Sequence, residues 1–250
     1  MKAEKGIWLV LFLMSGFIML FTTNCKKDDP SPGNPTNGKT TAIFNSSLDY
    51  GTMTDQDGNT YKTIVIGTQT WMAENLRTTR YRNGDSIPEV TDSLVWDGLK
   101  TGAYCNHNNY KSFPMIATYG RLYNWYSVSD SREIAPAGWH VPTNDEWTTL
   151  VSYLGGDSLA VMKLKERGGS HWTDFNETSD NGCGFTALPG GARFGVYFIQ
   201  LGYWGYWWSA TEDVNEMTAW YRSMSIQPGE TITPYIWFKE AGFSVRCVKD

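Results

Sequence analysis

The stretch 138–150, GWHVPTNDEWTTL, constrains the fold more than any other part of this 250-residue chain. An extended approach through Trp139, His140 and Val141 stops at Pro142, and a helix begins there with a complete start signal. Thr143 stands at the N-cap and Glu146 three residues later closes a capping box, so two backbone N–H groups left unpaired at a helix start gain acceptors. Pro142 and Trp147 occupy the staple positions that fix the angle at which the chain meets the helix. Trp147, Leu150, Val151 and Leu154 follow at i, i+3, i+4 and i+7, so one helix face is apolar and has to be covered. Thr143, Glu146 and Trp147 are therefore assigned to stability.

The N-terminus points to a destination. Lys2 and Lys5 precede an apolar run over 6–21, and Cys25 follows almost at once. The short basic start and the abrupt polar sequence after the Cys fit a secretory leader over 1–24 better than a membrane span. The TTNC junction at 22–25 resembles a lipoprotein signal in which Cys25 is lipidated and heads the mature chain. It departs from the usual pattern, which has Leu three residues before the Cys and Gly or Ala just before it. KKDD at 26–29 looks like the export tag of surface lipoproteins in Bacteroidetes-type bacteria. The expectation is an outer-membrane lipoprotein, held to the membrane by its N-terminal lipid and facing the cell exterior. Residues 28–41, DDPSPGNPTNGKTT, read as a flexible tether. Residues 42–50 read as a first strand or more linker, so the linker is taken as 25–50 and the domain as 51–250.

Twelve Trp and fourteen Tyr stand out in this chain. Core filling in a loop-rich fold accounts for most such rings, with ligand stacking as the alternative. A formal net charge of −5 with no basic run argues against nucleic acid as a partner. Asp57-Gly58-Asn59 predicts a hairpin turn. Asp55, Asp57 and Asn59 share the alternate spacing of a calcium loop, but the Gly comes too early and no Glu stands at the twelfth position. No cofactor is called for, with a structural calcium left open. Tyr119, Leu122 and Tyr126 predict a short helix over 119–128, and 158–166 a further one. In 203–209, YWGYWWS, a strand puts Trp204, Tyr206 and Trp208 on one face and Tyr203, Gly205 and Trp207 on the other. Strands are also expected over 219–222 and 242–248. Hairpin, helices, then many short strands give an α+β fold.

Seven ordered stretches resemble one family. DGNTYKTIVIGTQTWMAENL, GAYCNHNN, YGRLYNWYSV, GWHVPTNDEWTTL, GFTALPGG, YWWSATE and GFSVRCVKD look like the Fibrobacter succinogenes major paralogous domain, over most of 52–250. Its members are typically secreted or lipid-anchored proteins without an assigned activity. The resemblance implies a C-type-lectin-like architecture of the sulfatase-modifying-factor kind, with short twisted sheets, two or three short helices and many loops. In that group a Leu-Pro-Thr-Glu-Ala-Glu-Trp helix start is similar to 141–147, and a Gly-Phe-Arg-Cys ending resembles 242–247. Asn106 and His107 depart from the family pattern, and Cys183 takes a position usually filled by a small residue. With Cys25 lipidated, three cysteines remain and three pairings are open. The resemblance implies a Cys105–Cys247 bridge, with Cys183 free.

Chemistry is sparsely signalled. His107, His140 and His171 show no zinc-binding spacing, and His140 reads as a hydrogen-bonded structural residue. Neither a GxSxG elbow nor a pair of thiols at motif spacing is present, and the carboxylate pairs Asp145-Glu146 and Glu212-Asp213 carry no cleft signature. No catalytic residue is assigned. Ligand-binding candidates are Asn108, Asn109, Tyr203, Trp204, Tyr206 and Trp207, with polar groups from 106–110 and 213–216. Three functions are weighed: a non-catalytic recognition domain for a glycan or surface protein, an enzyme related to the formylglycine-generating factors, and a structural or adhesion protein of the cell envelope.

Overall fold

In the computed structural model, residues 33–173, 179–225, 227 and 231–250 are described; Cys25 and the leader lie outside the described residues. The first part of the chain supplies β1 (Gly51–Thr54), β2 (Thr60–Ile66), β3 (Gln69–Met72), α1 (Ser93–Asp97) and β4 (Tyr104–Cys105). The middle supplies a 3-10 turn at His107–Asn109, then α2 (Phe113–Tyr119), β5 (Leu122–Tyr123), α3 (Trp125–Val128), β6 (Trp139–His140), α4 (Asn144–Tyr153) and α5 (Asp157–Leu164). Strands β7 (Gly190–Phe194), β8 (Tyr197–Leu201), β9 (Trp204–Glu212), β10 (Thr218–Ser225), β11 (Pro234–Phe238) and β12 (Val248–Lys249) follow. The fold is α+β. One antiparallel sheet runs β1-β2-β3-β12-β6, so the last strand sits between early ones. A second runs β11-β10-β9-β7-β8, with β7 and β9 parallel through Gly191 and Gly205, and β4 pairs with β5.

The second sheet is packed on both faces along β9, and the period of two decides what goes where. Trp207 joins a cluster with Trp71, Trp147, Leu150 and Phe185, while Tyr206 and Trp208 join another with Tyr123, Phe243 and Val245. Gly205 leaves room for this arrangement: a Cβ there would lie 2.2 Å from the Trp207 ring and 2.7 Å from the Leu188 carbonyl. In the first cluster the α4 residue Trp147 meets Trp71 at 4.8 Å between ring centroids and Phe185 at 5.8 Å. The apolar face of α4 is thus covered by strand and loop rings.

Buried polar groups tie the two clusters together. Asn75 Oδ1 accepts from Trp207 Nε1 and from Arg246 Nε, each at 2.9 Å. Its Nδ2 donates to the Tyr119 carbonyl at 2.9 Å and to Ser244 Oγ at 3.2 Å. Arg246 is fully buried, lies 4.1 Å over the Phe185 ring, and donates further to the Phe185 and Thr186 carbonyls. Burial pulls its pKa down to about 9.

The helix-start expectation is met. Thr143 and Glu146 form the capping box, and Glu146 Oε1 also meets His140 Nε2 at 2.7 Å. His140 Nδ1 reaches Asp250 Oδ1 at 2.7 Å, fastening the chain end to the helix start. The hairpin expectation is met as well: the Asp55 carboxylate accepts from the backbone N–H of Asp57 and Asn59, from Asn59 Nδ2 and from the Tyr61 hydroxyl.

Two expectations are corrected. The single helix over 119–128 is broken: α2 ends at Gly120 (φ 74), β5 intervenes, and Asn124 caps the short α3 by accepting from Ser127 N–H. A Cβ at Gly120 would lie 2.6 Å from Asn75 Cβ and 2.8 Å from the Leu76 carbonyl, so the chain turns where it touches the buried amide. The flexible-linker reading of 25–50 fails for its second half, because the compact unit begins at Gly33. Thr36 is buried and donates to Asn59 Oδ1, Thr41 N–H donates to Thr118 Oγ1, and Ile43 N–H donates to the buried Glu166 carboxylate. His171 bridges the other Glu166 oxygen, at 2.7 Å, to Thr41 Oγ1, at 2.9 Å.

Asn75→Ala strands two buried donors, Trp207 Nε1 and Arg246 Nε, and is expected to cost about 3 kcal/mol or more, read by urea unfolding. The His140 contacts carry a pH signature. Burial opposes its charge, but Asp250 and Glu146 outweigh that and hold its pKa above 6.5. Burial likewise opposes the charge on Glu146, and the Thr143 N–H and His140 hold its pKa below 4.5. The stability from His140 is therefore present below its unfolded pKa and lost as pH rises through the raised one. That from Glu146 is present above its unfolded pKa and lost as pH falls through the lowered one. Thermal melts of the wild type and His140→Gln should differ most between roughly pH 4.5 and 6.5. The gap should close on the alkaline side.

Candidate functional site

The second sheet curls enough to make a trough. Phe194 on β7 and Trp237 on β11 lie three places apart in strand order, yet their ring centroids are 5.1 Å apart. Both rings line a cleft of about 520 Å³. Its rings are layered. Phe243, fully buried, meets Tyr206 at 5.1 Å, Tyr221 at 4.9 Å and Phe194 at 5.5 Å. Each of these three backs one rim ring: Trp204 stacks on Tyr206 at 5.8 Å and 13°, Tyr235 tilts on Tyr221 at 6.0 Å, and Trp237 stands edge-on to Phe194. Tyr235 and Trp237 are 48% and 43% exposed, which leaves large ring faces in water although the fold holds them in place.

Polar groups are interleaved with the rings: Gln200, Ser223, Gln227 and Thr231. Gln200 has φ 62, a left-handed backbone that non-glycine residues seldom adopt and that tends to mark functional positions. Its Oε1 accepts from the Tyr206 hydroxyl, which orients the amide and leaves Nε2 without a protein partner among the described residues. Burial raises the Tyr221 pKa, with Tyr235 adding to the shift, so its hydroxyl stays protonated at neutral pH. The described lining carries no Asp, Glu, Lys, Arg or His.

A family model of the Fibrobacter succinogenes major domain matches residues 64–249. The chain belongs to this family. No curated protein and no solved structure matches the chain. In this member of the Fibrobacter succinogenes major domain family, the stretches quoted for the resemblance supply the floor ring Tyr206 and the buried ring Phe243 behind it, while most of the rim lies between them.

Of the six ligand-binding candidates, two line the cleft. Trp204 is half-buried on its rim and Tyr206 forms its floor. Trp207 is on the opposite face of β9, fully buried and bonded to Asn75. Tyr203 is exposed in the turn before β9 and is absent from the cleft wall. Asn108 and Asn109 serve a tight turn with φ 49 and 55, where Asn109 Nδ2 donates to the Thr91 carbonyl. The 213–216 segment makes the β9–β10 turn, with Asp213 accepting from Thr218 Oγ1. The rings that sequence reasoning missed are Phe194, Tyr221, Tyr235 and Trp237. The last two sit in PYIWF at 234–238, where Pro at a strand start followed by apolar residues of β type was a legible edge-strand signal.

The disulfide expectation is corrected: Cys105, Cys183 and Cys247 are all free. Cys105 packs with Trp96, Ala103 and Leu122, and Cys247 lies in the separate cluster around Phe243. Burial pushes the Cys105 thiol up to about 12 and the Cys183 thiol to about 11, and raises Cys247 further still. All three behave as small apolar residues. Among the described residues, no group of three or more His, Cys, Asp or Glu is placed to hold a metal ion.

The layering makes an asymmetric mutational outcome. Phe243→Ala removes the ring on which three others rest and should cost about 3–5 kcal/mol in chemical denaturation. Trp237→Ala removes a ring already half in water and is expected to cost less than about 1.5 kcal/mol in the same measurement.

Proposed function

We propose that the domain is a non-catalytic recognition module that holds a carbohydrate in the aromatic cleft. The proposed setting is a C-type-lectin-like fold on a lipoprotein anchored through Cys25 to the outer membrane and facing the cell exterior. The observation that carries the reading is the pairing of rim rings fixed by deeper rings with amide and hydroxyl groups between them. A pyranose has the same alternation: faces of C–H groups that pack on rings, and a perimeter of hydroxyls that need partners. Because each rim ring already rests on a second ring, little side-chain freedom remains to be lost on binding, which favours affinity. The leader, Cys25 and the 26–29 tag support the surface location.

The described lining holds no carboxylate, so none of its residues supplies a glycosidase's acid and base pair. Thiols raised to about 11 and 12 and set in separate apolar surroundings give little support to a thiol-dependent oxidation. Recognition without turnover is the function that uses what the cleft contains.

A glycan array followed by calorimetry on the mature chain tests this. Trp204→Ala and Trp237→Ala should each weaken binding about tenfold, or ~1.4 kcal/mol. Thr143→Ala should lower stability by about 1 kcal/mol and leave affinity unchanged. A wild-type protein that binds no saccharide would end the reading.

A further inference from the structure

The cleft also restricts what kind of carbohydrate fits, an inference that rests on the recognition reading above. Its described lining is eleven residues, of which none is Asp, Glu, Lys, Arg or His. The cations borne by the same strands are committed elsewhere. Arg193 on β7 is fully buried, lies 4.4 Å over the Trp96 ring, and donates to the Val90 and Asp92 carbonyls. Arg222 on β10 donates to Asn144 Oδ1, Thr148 Oγ1 and the Ile232 carbonyl. A carboxylate or sulfate entering the trough would give up water and meet ring faces, which carry negative charge density, with no cation among the described lining residues to compensate. That uncompensated desolvation selects against anionic sugars.

Ring faces attract cations, so a quaternary or amino ligand has to be weighed. Such ligands need a closed cage around one point charge. Here the rings are spread over β7, β9, β10 and β11, and amides and hydroxyls interrupt them. Gln200, Ser223, Gln227 and Thr231 would face only methyl groups around a quaternary ammonium and only donors around an amino group, whereas sugar hydroxyls satisfy donors and acceptors alike. Gln200 is the sharpest of these features: Tyr206 holds its Oε1, its backbone is fixed at φ 62, and its two amide hydrogens meet no acceptor among the described residues.

We infer that the cleft binds an uncharged pyranoside chain, with Gln200 donating to a ring hydroxyl or ring oxygen and so setting which sugar is accepted. Calorimetry on the mature chain should compare neutral hexasaccharides of glucose, mannose or xylose units with oligogalacturonate, a sulfated oligosaccharide, a glucosamine oligomer and choline. At least one neutral oligomer should bind more than tenfold tighter than every charged probe, with affinity nearly unchanged when salt is raised about tenfold. Gln200→Ala should weaken that binding about tenfold in protein that thermal melts show to be fully folded at the assay temperature. Gln200→Lys should weaken it too and admit oligogalacturonate. Tighter binding of a uronate, sulfated, glucosamine or choline probe, with marked salt dependence, would overturn the inference while leaving a recognition cleft. Neutral binding untouched by Gln200→Ala would overturn the assignment of Gln200. Binding of no probe at all would overturn the inference together with the carbohydrate reading.

Discussion

The amide of Asn75 is the contact on which the rest of the structure depends. One side chain with one acceptor oxygen and one amide nitrogen is shared by Trp207 of β9, Arg246 near the C-terminus, the Tyr119 carbonyl at the end of α2, and Ser244. A buried guanidinium is costly unless its donors are satisfied. Arg246 meets that condition by binding Asn75 together with the Phe185 and Thr186 carbonyls, so segments far apart in sequence must arrive in one geometry. The cation is held by neutral carbonyls and an amide, which fix direction as well as distance. Arg193 and Arg222 repeat the device, each reaching a carbonyl of a distant segment. A loop-rich chain with short strands gains definition this way, because each fork ties irregular backbone that has few ladder hydrogen bonds of its own.

From that contact the cleft follows in steps. Trp207 tethered to Asn75 fixes the facing of β9, and the period of two then sends Tyr206 and Trp208 to the other side. Phe243, one residue before the Asn75 partner Ser244 and three before Arg246, lands among those rings. It meets Trp208 at 4.4 Å and Tyr206 at 5.1 Å. Tyr221 and Phe194 pack on Phe243 from the neighbouring strands, and the sheet has to curl for all of them to reach it. The trough is the concave side of that curl. Its exposed rings are thus the outer layer of a stack whose innermost ring belongs to the core.

What could be read from the sequence follows from which signals are local. The α4 start was legible because a capping box and a staple lie within six residues, and the β9 facing because alternation is a property of one strand. The hairpin at Asp57-Gly58-Asn59 was legible for the same reason. The break at Gly120 was not, since the atoms that forbid a Cβ there belong to Asn75 and Leu76. The packed segment from Gly33 to Tyr50 read as linker because its hydrogen bonds go to distant side chains such as Thr118, Glu166 and His171, with no apolar period to announce them. In the cleft, the β9 face was foreseeable. Its choice of Trp204 and Tyr206 over Tyr203 and Trp207 depended on Asn75, and Tyr235 and Trp237 depended on how far the sheet curls. The aromatic richness alone could not separate core from rim. Trp207, Trp208 and Trp237 share a residue type and differ only in what stands behind them.

That layering bears on how such a domain can change its ligand. Tyr206 on the floor and Phe243 beneath it belong to the stretches that also build the core, so replacing either disturbs packing that holds β7, β9 and β10 together. Trp204, Gln200, Tyr235 and Trp237 on the rim lie outside those stretches and are partly in water. A substitution there changes the ring face or the donor offered to a ligand while removing little buried area, and large stability losses come from buried sites. The scaffold therefore places a rigid floor beneath a rim that can be altered at low structural cost. Specificity in a fold of this kind is then set by a handful of rim side chains, with Gln200 the one whose orientation the floor itself dictates through Tyr206.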